Sequence, residues 1–433
     1  MSHHLQRFGI HLALRTACAL VAFGFLATGL AQLAQAQTFR AISTFNGGST
    51  GGSPSGGLVM DRRGALYGST EYGGATNLPQ CQLGANQGCG VIFQVKPTGS
   101  GWVLNPLYTF QGAADGAVPQ LVVFGPDGNL YGMTNLGGSC AVSQFGCGTV
   151  FKLSPGFSVC KTVLCPWVKT TLYNFAGGND GMGPFGPVTF GPDGSIYGEV
   201  RQGGAYNSGI VFKLTRTGGG WTESVIYTFT DGADGSWPLG GVVLDGAGDV
   251  YGTTYSGGDF GAGTVFELMP SGTGWTFEVL NQFTGFSDGG FPNGGVIFDA
   301  SGNLLGPTTS GGSSGGGVVF QLVPGNDTWT ENVLYNFDGL CCGGPFAGLS
   351  MDANGALYGT TWNIPSAGAI FKLAPSNGGW TETNLHVFDI GPGSHPASTV
   401  LIDGSGNLFG TTYGGGAGYC NDLGCGIVWE ITP

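Results

Sequence analysis

The sequence predicts an all-β fold: a seven-bladed β-propeller of four-stranded blades, its ring closed by the N-terminal strand completing the last blade. Three observations predict it. A segment of the Gly-Asn-Leu-Tyr-Gly-Met-Thr type recurs seven times, centred on Tyr67, Tyr131, Tyr197, Tyr251, Leu305, Tyr358 and Phe409, at spacings of 64, 66, 54, 54, 53 and 51 residues. Self-similarity at that period identifies a repeat architecture before any local propensity is consulted. Each copy holds four strand-like runs, a to d, rich in β-branched and aromatic residues and bounded by Gly, Pro, Asp and Asn. Finally, the last copy stops after its c run, at Trp429-Glu-Ile-Thr-Pro433, while a run resembling d, Phe39-Arg-Ala-Ile-Ser-Thr-Phe45, precedes the first a run. Joining the two closes a ring and removes exposed sheet edges. An open β-solenoid, the competing architecture, leaves that transposed strand without a purpose.

Within a copy, run a (Leu121-Val-Val-Phe124 in the second) leads into Gly125-Pro-Asp-Gly-Asn129. Pro fixes φ near −65° and the second Gly supplies a left-handed residue, so a tight hairpin joins a to b. A calcium loop on these aspartates is disfavoured because EF-type ligand spacing is missing. Run c is the most faithful, from Val91-Ile-Phe-Gln-Val95 to Ile427-Val-Trp-Glu-Ile431. Its nearly continuous apolar character predicts a strand covered on both faces. Run d opens with Trp102, Trp167, Trp221, Trp275, Trp329 or Trp380, and this recurrence at one position predicts packing rather than sugar stacking. His386 takes the column held elsewhere by Tyr108, Tyr173, Tyr227 and Tyr335, again a framework position. The d–a links carry Asp115, Asp180, Asp234 and Asp288 in Asp-Gly-x-x-Pro, expected to form Asx-type turns. A cation-binding ring of these carboxylates is weakened by Thr50, Cys341 and Pro392 in the other three copies.

Residues 1–36 read as a separate segment, a secretory signal peptide. Arg7 and Arg15 precede the apolar run Ala17–Leu26, and Ala34-Gln-Ala36 is a cleavage pattern. The expected mature chain, 37–433, is then a single propeller domain with no further segment able to span a bilayer as a helix. Cleavage leaves 11 basic against 26 acidic residues, a net charge of −15, which disfavours nucleic acid as a partner. The expected location is secreted, periplasmic or otherwise in the cell envelope. Ten cysteines remain. Cys81 and Cys89, Cys140 and Cys147, and Cys420 and Cys425 each share a b–c loop. Cys160 and Cys165 share a c–d link, and Cys341 and Cys342 are adjacent in a d–a link. In an oxidising compartment such short-range pairs read as disulfides. Neither a metal nor a cofactor is expected, since the mature chain has only His386 and His395, no CxxC pair and no phosphate-cradling loop.

The most informative column is one that varies. Directly after the b run stand Glu71, Asn135, Arg201, Tyr255, Thr309, Trp362 and Tyr413. Strand direction puts the b–c and d–a links on one end of a propeller, so this column shares a face with the cysteine loops and with Trp237. Variable side chains on a constant scaffold are where binding resides. Tyr255, Trp362, Tyr413, Arg201, Glu71 and Trp237 are therefore the candidate ligand contacts, with a glycan or a protein as ligand and a monomer as the expected state. No HExxH is present. Glu71 and Glu199 are the one carboxylate pair that would serve the alternative, an envelope carbohydrate-active hydrolase or lyase.

Three blocks recurring in order, Pro-Asp-Gly-Asn-Leu-Tyr-Gly-Thr-Thr-x-Gly-Gly, Gly-Thr-Val-Phe-Lys-Leu-x-Pro and Trp-x-x-x-x-Leu-Tyr-x-Phe, resemble the bacterial GloVer tandem-repeat proteins over residues 38–433. The resemblance implies exported, surface-associated repeat proteins without mapped catalytic residues. Members often carry a C-terminal anchoring segment; here the repeat runs to Pro433, so release or periplasmic residence is expected over anchoring.

Overall fold

The computed structural model describes residues 37–433 apart from 84–85, 157–166, 327, 340–343, 363–366, 390–392, 419 and 421–422. The expected signal segment lies outside the described residues. So do two of the five expected disulfides, that of Cys160 with Cys165 and that of Cys341 with Cys342. Seven antiparallel sheets, each in the order a–b–c–d, form a seven-bladed β-propeller. Blade 1 shows the plan: Val59–Met60, Leu66–Thr70, Val91–Thr98 and Gly101–Thr109. The last blade pairs Leu401–Ile402, Leu408–Thr412 and Ile427–Thr432 with Thr38–Thr44 as its outer strand. Backbone and side chain both hold this closure. The Phe45 amide donates to the Gly426 carbonyl at 3.1 Å, and Arg40 forms an ion pair with Glu430.

Strand alternation explains why the core is divided by blade boundaries. In the c strand of blade 1, Phe93 and Val95 point towards blade 7 while Ile92 points towards blade 2. Accordingly Phe93, Val95 and Leu66 cluster with Phe45, Phe409 and Val428, whereas Ile92 and Tyr67 cluster with Leu130, Phe151 and Leu153. The same partition recurs at each of the seven seams. A c strand must therefore be apolar on both faces, as its sequence is. The tryptophans seal these seams. Trp167 packs edge-on against Tyr67, Trp275 against Tyr197 and Trp329 against Tyr251, each reaching the preceding blade, and Trp102 reaches Phe409 across the closure. His386 stacks on Phe39 of the closing strand at 3.6 Å between ring centroids.

The turn chemistry follows the sequence reading. Gly128 sits at φ 75°, its N–H donating to the Gly125 carbonyl. The d–a aspartates fold back on their own links: Asp115, Asp180 and Asp234 each accept from a backbone amide four residues earlier and from the hydroxyl of Tyr108, Tyr173 or Tyr227. Thr50 performs the same task with its hydroxyl, which accepts from the Asn46 amide at 3.1 Å. The Thr50 link, without an Asp, thus keeps the turn. Disulfides join Cys81 to Cys89, Cys140 to Cys147 and Cys420 to Cys425. Glycines at both ends of these loops let them fold flat: a Cβ on Gly88, at φ 94°, would lie 2.0 Å from the Gly73 carbonyl oxygen.

Candidate ligand-binding site

Each blade brings two positions to the end of the ring where the b–c and d–a links meet. One comes from the variable column at the end of strand b. The other comes from the residue before the d–a proline: Ser53, Val118, Gly183, Trp237, Phe291, Gly344 and His395 in order. Six of these seven, all but Gly344, have positive φ, and Ser53, Val118, Trp237, Phe291 and His395 do so without being glycine, at 55° to 58°. A residue preceding proline ordinarily prefers extended backbone, and a left-handed β-branched or aromatic residue is strained. Tertiary hydrogen bonds impose the conformation. The amides of Val118, Trp237, Phe291 and His395 donate to the Cys89, Ser208, Ala262 and Ala367 carbonyls of the preceding blade, at 2.6 to 3.0 Å.

The two columns interlock with a shift of one blade. Arg201 lies over the Trp237 ring at 5.7 Å, Tyr255 meets Phe291 at 5.4 Å, and Trp362 meets His395 at 5.1 Å. Trp362 also packs on Phe346 at 4.7 Å and on Tyr413 at 5.5 Å. Two cavities open here. One, of about 220 Å³, lies at the mouth of the axial channel; all seven blades line it, and Glu71, Gln120, Trp362 and Tyr413 are among its walls. The other, of about 380 Å³, is lined by Arg201, Trp237, Tyr255, Asn293, Phe346 and Trp362 among others. Trp362, Phe346, Leu239 and Asn293 are common to both.

All six candidate contacts therefore line one or other of two adjoining cavities. Two members of the variable column do not join them as free groups. Asn135 donates to the Pro184 carbonyl of the next blade at 3.3 Å, and Thr309 to the Phe291 carbonyl of its own blade at 2.8 Å. Sequence reasoning missed Phe291, Phe346 and His395. Their signal is the x-Pro-x element of every d–a link.

Burial raises the Glu71 carboxyl above the usual range, against the opposing effect of hydrogen bonds from Ser55 and Tyr72. Tyr413 is raised by burial and by the charge of Glu71. Burial lowers His395, whose Nδ1 is enclosed with no partner among the described residues. Glu199 is a different case. It is fully buried in strand b of blade 3, two residues before Arg201, and lines neither cavity. At the equivalent position Ser69, Thr253 and Thr360 donate a hydroxyl to a carbonyl of the next blade. Glu199 instead accepts from the Gly241 amide at 2.7 Å, and burial pushes its carboxyl up to about 8. It is a latch between blades 3 and 4, and the expected pairing with Glu71 across a substrate is not formed.

A seven-bladed propeller with a variable, aromatic-lined mouth defines the class: a repeat propeller scaffold. Within that class the chain belongs to the Gloeobacter/Verrucomicrobia repeat family, whose model matches residues 31–222 and 188–424. No curated protein matches the sequence. Among solved structures, the extracellular domain of a one-component system from B. thetaiotaomicron is similar with a TM-score of 0.53 at 11% identity, over 92% of this chain and 40% of that one. A Bacteroides uniformis protein named for 6-phosphogluconolactonase is similar with a TM-score of 0.50 at 14% identity, over 78% of this chain and 86% of that one. Identities this low carry the fold and none of the chemistry.

Proposed function

We propose that this protein is a non-catalytic binding module, exported to the cell envelope or beyond it, that takes a glycan at the mouth of its axial channel. The observation that carries the reading is Trp362, half-buried between Phe346, His395 and Tyr413 and shared by both cavities. Aromatic rings held rigidly at a wet, concave mouth offer flat apolar faces beside polar groups, which suits the mixed surface of a sugar ring. The walls hold amide and hydroxyl groups for sugar hydroxyls in Gln120, Asn293 and Tyr255. A glycoside hydrolase working by the two-carboxylate mechanism needs a pair flanking the scissile bond; among the described lining residues of these cavities Glu71 is the sole carboxylate. Export is supported by the Arg-flanked apolar run ending in Ala34-Gln-Ala36 and by three disulfides.

A glycan array probed with the purified protein tests this. Binding to at least one glycan class is expected, weakened about ten-fold or more by Trp362→Ala, taking as the scale the roughly 1–3 kcal/mol that a base stacked on one aromatic ring contributes. Tyr255→Ala weakens binding less. Unchanged binding in Trp362→Ala, with the fold intact by circular dichroism, removes the site.

A further inference from the structure

The larger cavity has a charge pattern that runs against the rest of the molecule. The chain carries 26 acidic residues against 13 basic ones, and four of its cations meet a carboxylate among the described residues: Lys152 with Asp127, Lys169 with Asp115, Lys213 with Asp193, and Arg40 with Glu430. Arg201 does not. It is the one cation in the seven-membered variable column, and it forms no ion pair or side-chain hydrogen bond among the described residues. It lies instead against the face of Trp237, which is 42% exposed. Among the described lining residues of that cavity Arg201 is the sole charged group. A guanidinium laid on an indole keeps its N–H edges free, in the planar fork that matches a carboxylate.

Tyr255, Phe346, Trp362 and one oriented amide line the same cavity. The Asn293 Nδ2 donates to the Phe346 carbonyl at 2.8 Å, so its Oδ1 is left as an acceptor for a hydroxyl. The cavity therefore combines a carboxylate receptor, stacking faces and a hydroxyl acceptor within about 380 Å³, room for one ring. We propose that the cavity between Arg201 and Trp362 binds a uronic acid residue, its carboxylate held by Arg201. This rests on the glycan reading above and adds the substrate class to it.

The test compares oligogalacturonate with the same oligosaccharide after carboxyl reduction to the neutral sugar, by calorimetry on the full mature chain. The acidic form is expected to bind about ten-fold or more tightly, the scale of a hydrogen-bonded charge pair, and to weaken as sodium chloride is raised. Arg201→Gln is expected to erase the preference, so that the variant binds the acidic and the neutral form alike, and Trp237→Leu, which keeps the charge but removes its platform, to reduce it. Equal binding of both forms, or a preference that survives Arg201→Gln, overturns the uronate assignment and leaves glycan binding standing. If neither form nor any other glycan binds, the glycan reading falls as well; capture of an acidic peptide in place of sugar, lost in Arg201→Gln, overturns both.

Discussion

Glu199 shows how one residue can break the repeat and bind two blades by a different means. Every other blade places Ser, Thr, Met or Pro there, and the hydroxyls donate across the seam. A carboxylate can only accept until it is protonated, and its Oε1 is enclosed without a partner among the described residues. Desolvation is the dominant cause of its raised value, with the Gly241 amide opposing it. The sign of the consequence is fixed. In the unfolded chain the carboxyl titrates near 4.5, in the folded chain near 8. Between these values the native state holds a proton that the unfolded state has released, so this contribution is full below about pH 4.5 and declines as pH rises towards 8, at roughly 1.4 kcal/mol per unit. Glu199→Gln keeps an acceptor for the Gly241 amide and cannot ionise. Denaturant melts at pH 5, 6.5 and 8 should show the natural protein losing stability relative to this variant as pH rises. A constant difference across that range would mean that Glu199 is ionised within the fold.

Within a blade, each element carries one job, and the tryptophan opening strand d closes the outer rim of a seam. Trp275 covers Tyr197 of the preceding blade at 6.2 Å between centroids, and Trp102 covers Phe409 at 6.0 Å. Both indoles are half-buried, so truncation removes less than a fully enclosed tryptophan would. Trp275→Ala is expected to destabilise by roughly 2–3 kcal/mol, read from chemical denaturation, with the cavity residues undisturbed and binding retained; a change below about 0.5 kcal/mol would make the column decorative. Much of this level was legible in the sequence, because it is written by local rules. Pro-Asp-Gly-Asn fixes a turn, an uninterrupted apolar c run demands cover on both faces, and a tryptophan at a constant offset marks a constant contact. What escaped was set by neighbours. The left-handed conformation of Phe291 and His395 contradicts the local preference of a residue before proline, and is enforced by amides reaching the Ala262 and Ala367 carbonyls one blade away. Glu199, read as a catalytic candidate for its charge, proved to be a seam residue because the register of strand b turns it into the interface with blade 4. The variable column was found from the sequence since variation on a constant frame needs no geometry; its partners from the neighbouring blade did.

At the scale of the whole molecule the ring is a cycle of similar seams, and one of them is made by residues nearly 400 positions apart in the chain. Phe45 and Phe409 meet Phe93 and Leu66 in the same cluster type that consecutive blades build, and the Thr411 hydroxyl is shared between the Pro54 and Gly56 carbonyls as its counterparts bond to the following blade. Six seams thus join neighbouring repeats, whereas the seventh closes the chain on itself and costs the loop-closure entropy. Removing residues up to Thr44 would leave the strand Ile427–Thr432 as a bare edge and strip Phe39 from His386, so this truncation is expected to lose cooperative unfolding and to aggregate. A circular permutant separates closure from mere loss of mass. Joining Thr432 to Phe39 by a two-residue turn, with the new N-terminus at Gly48, rebuilds the c–d hairpin that the other blades make in sequence, such as Val91–Thr98 with Gly101–Thr109. The permutant is expected to melt in one transition within a few degrees of the natural chain, because every seam is retained. If it fails to fold while the truncated chain stays cooperative, the outer strand is dispensable and the ring is held by its six internal seams alone.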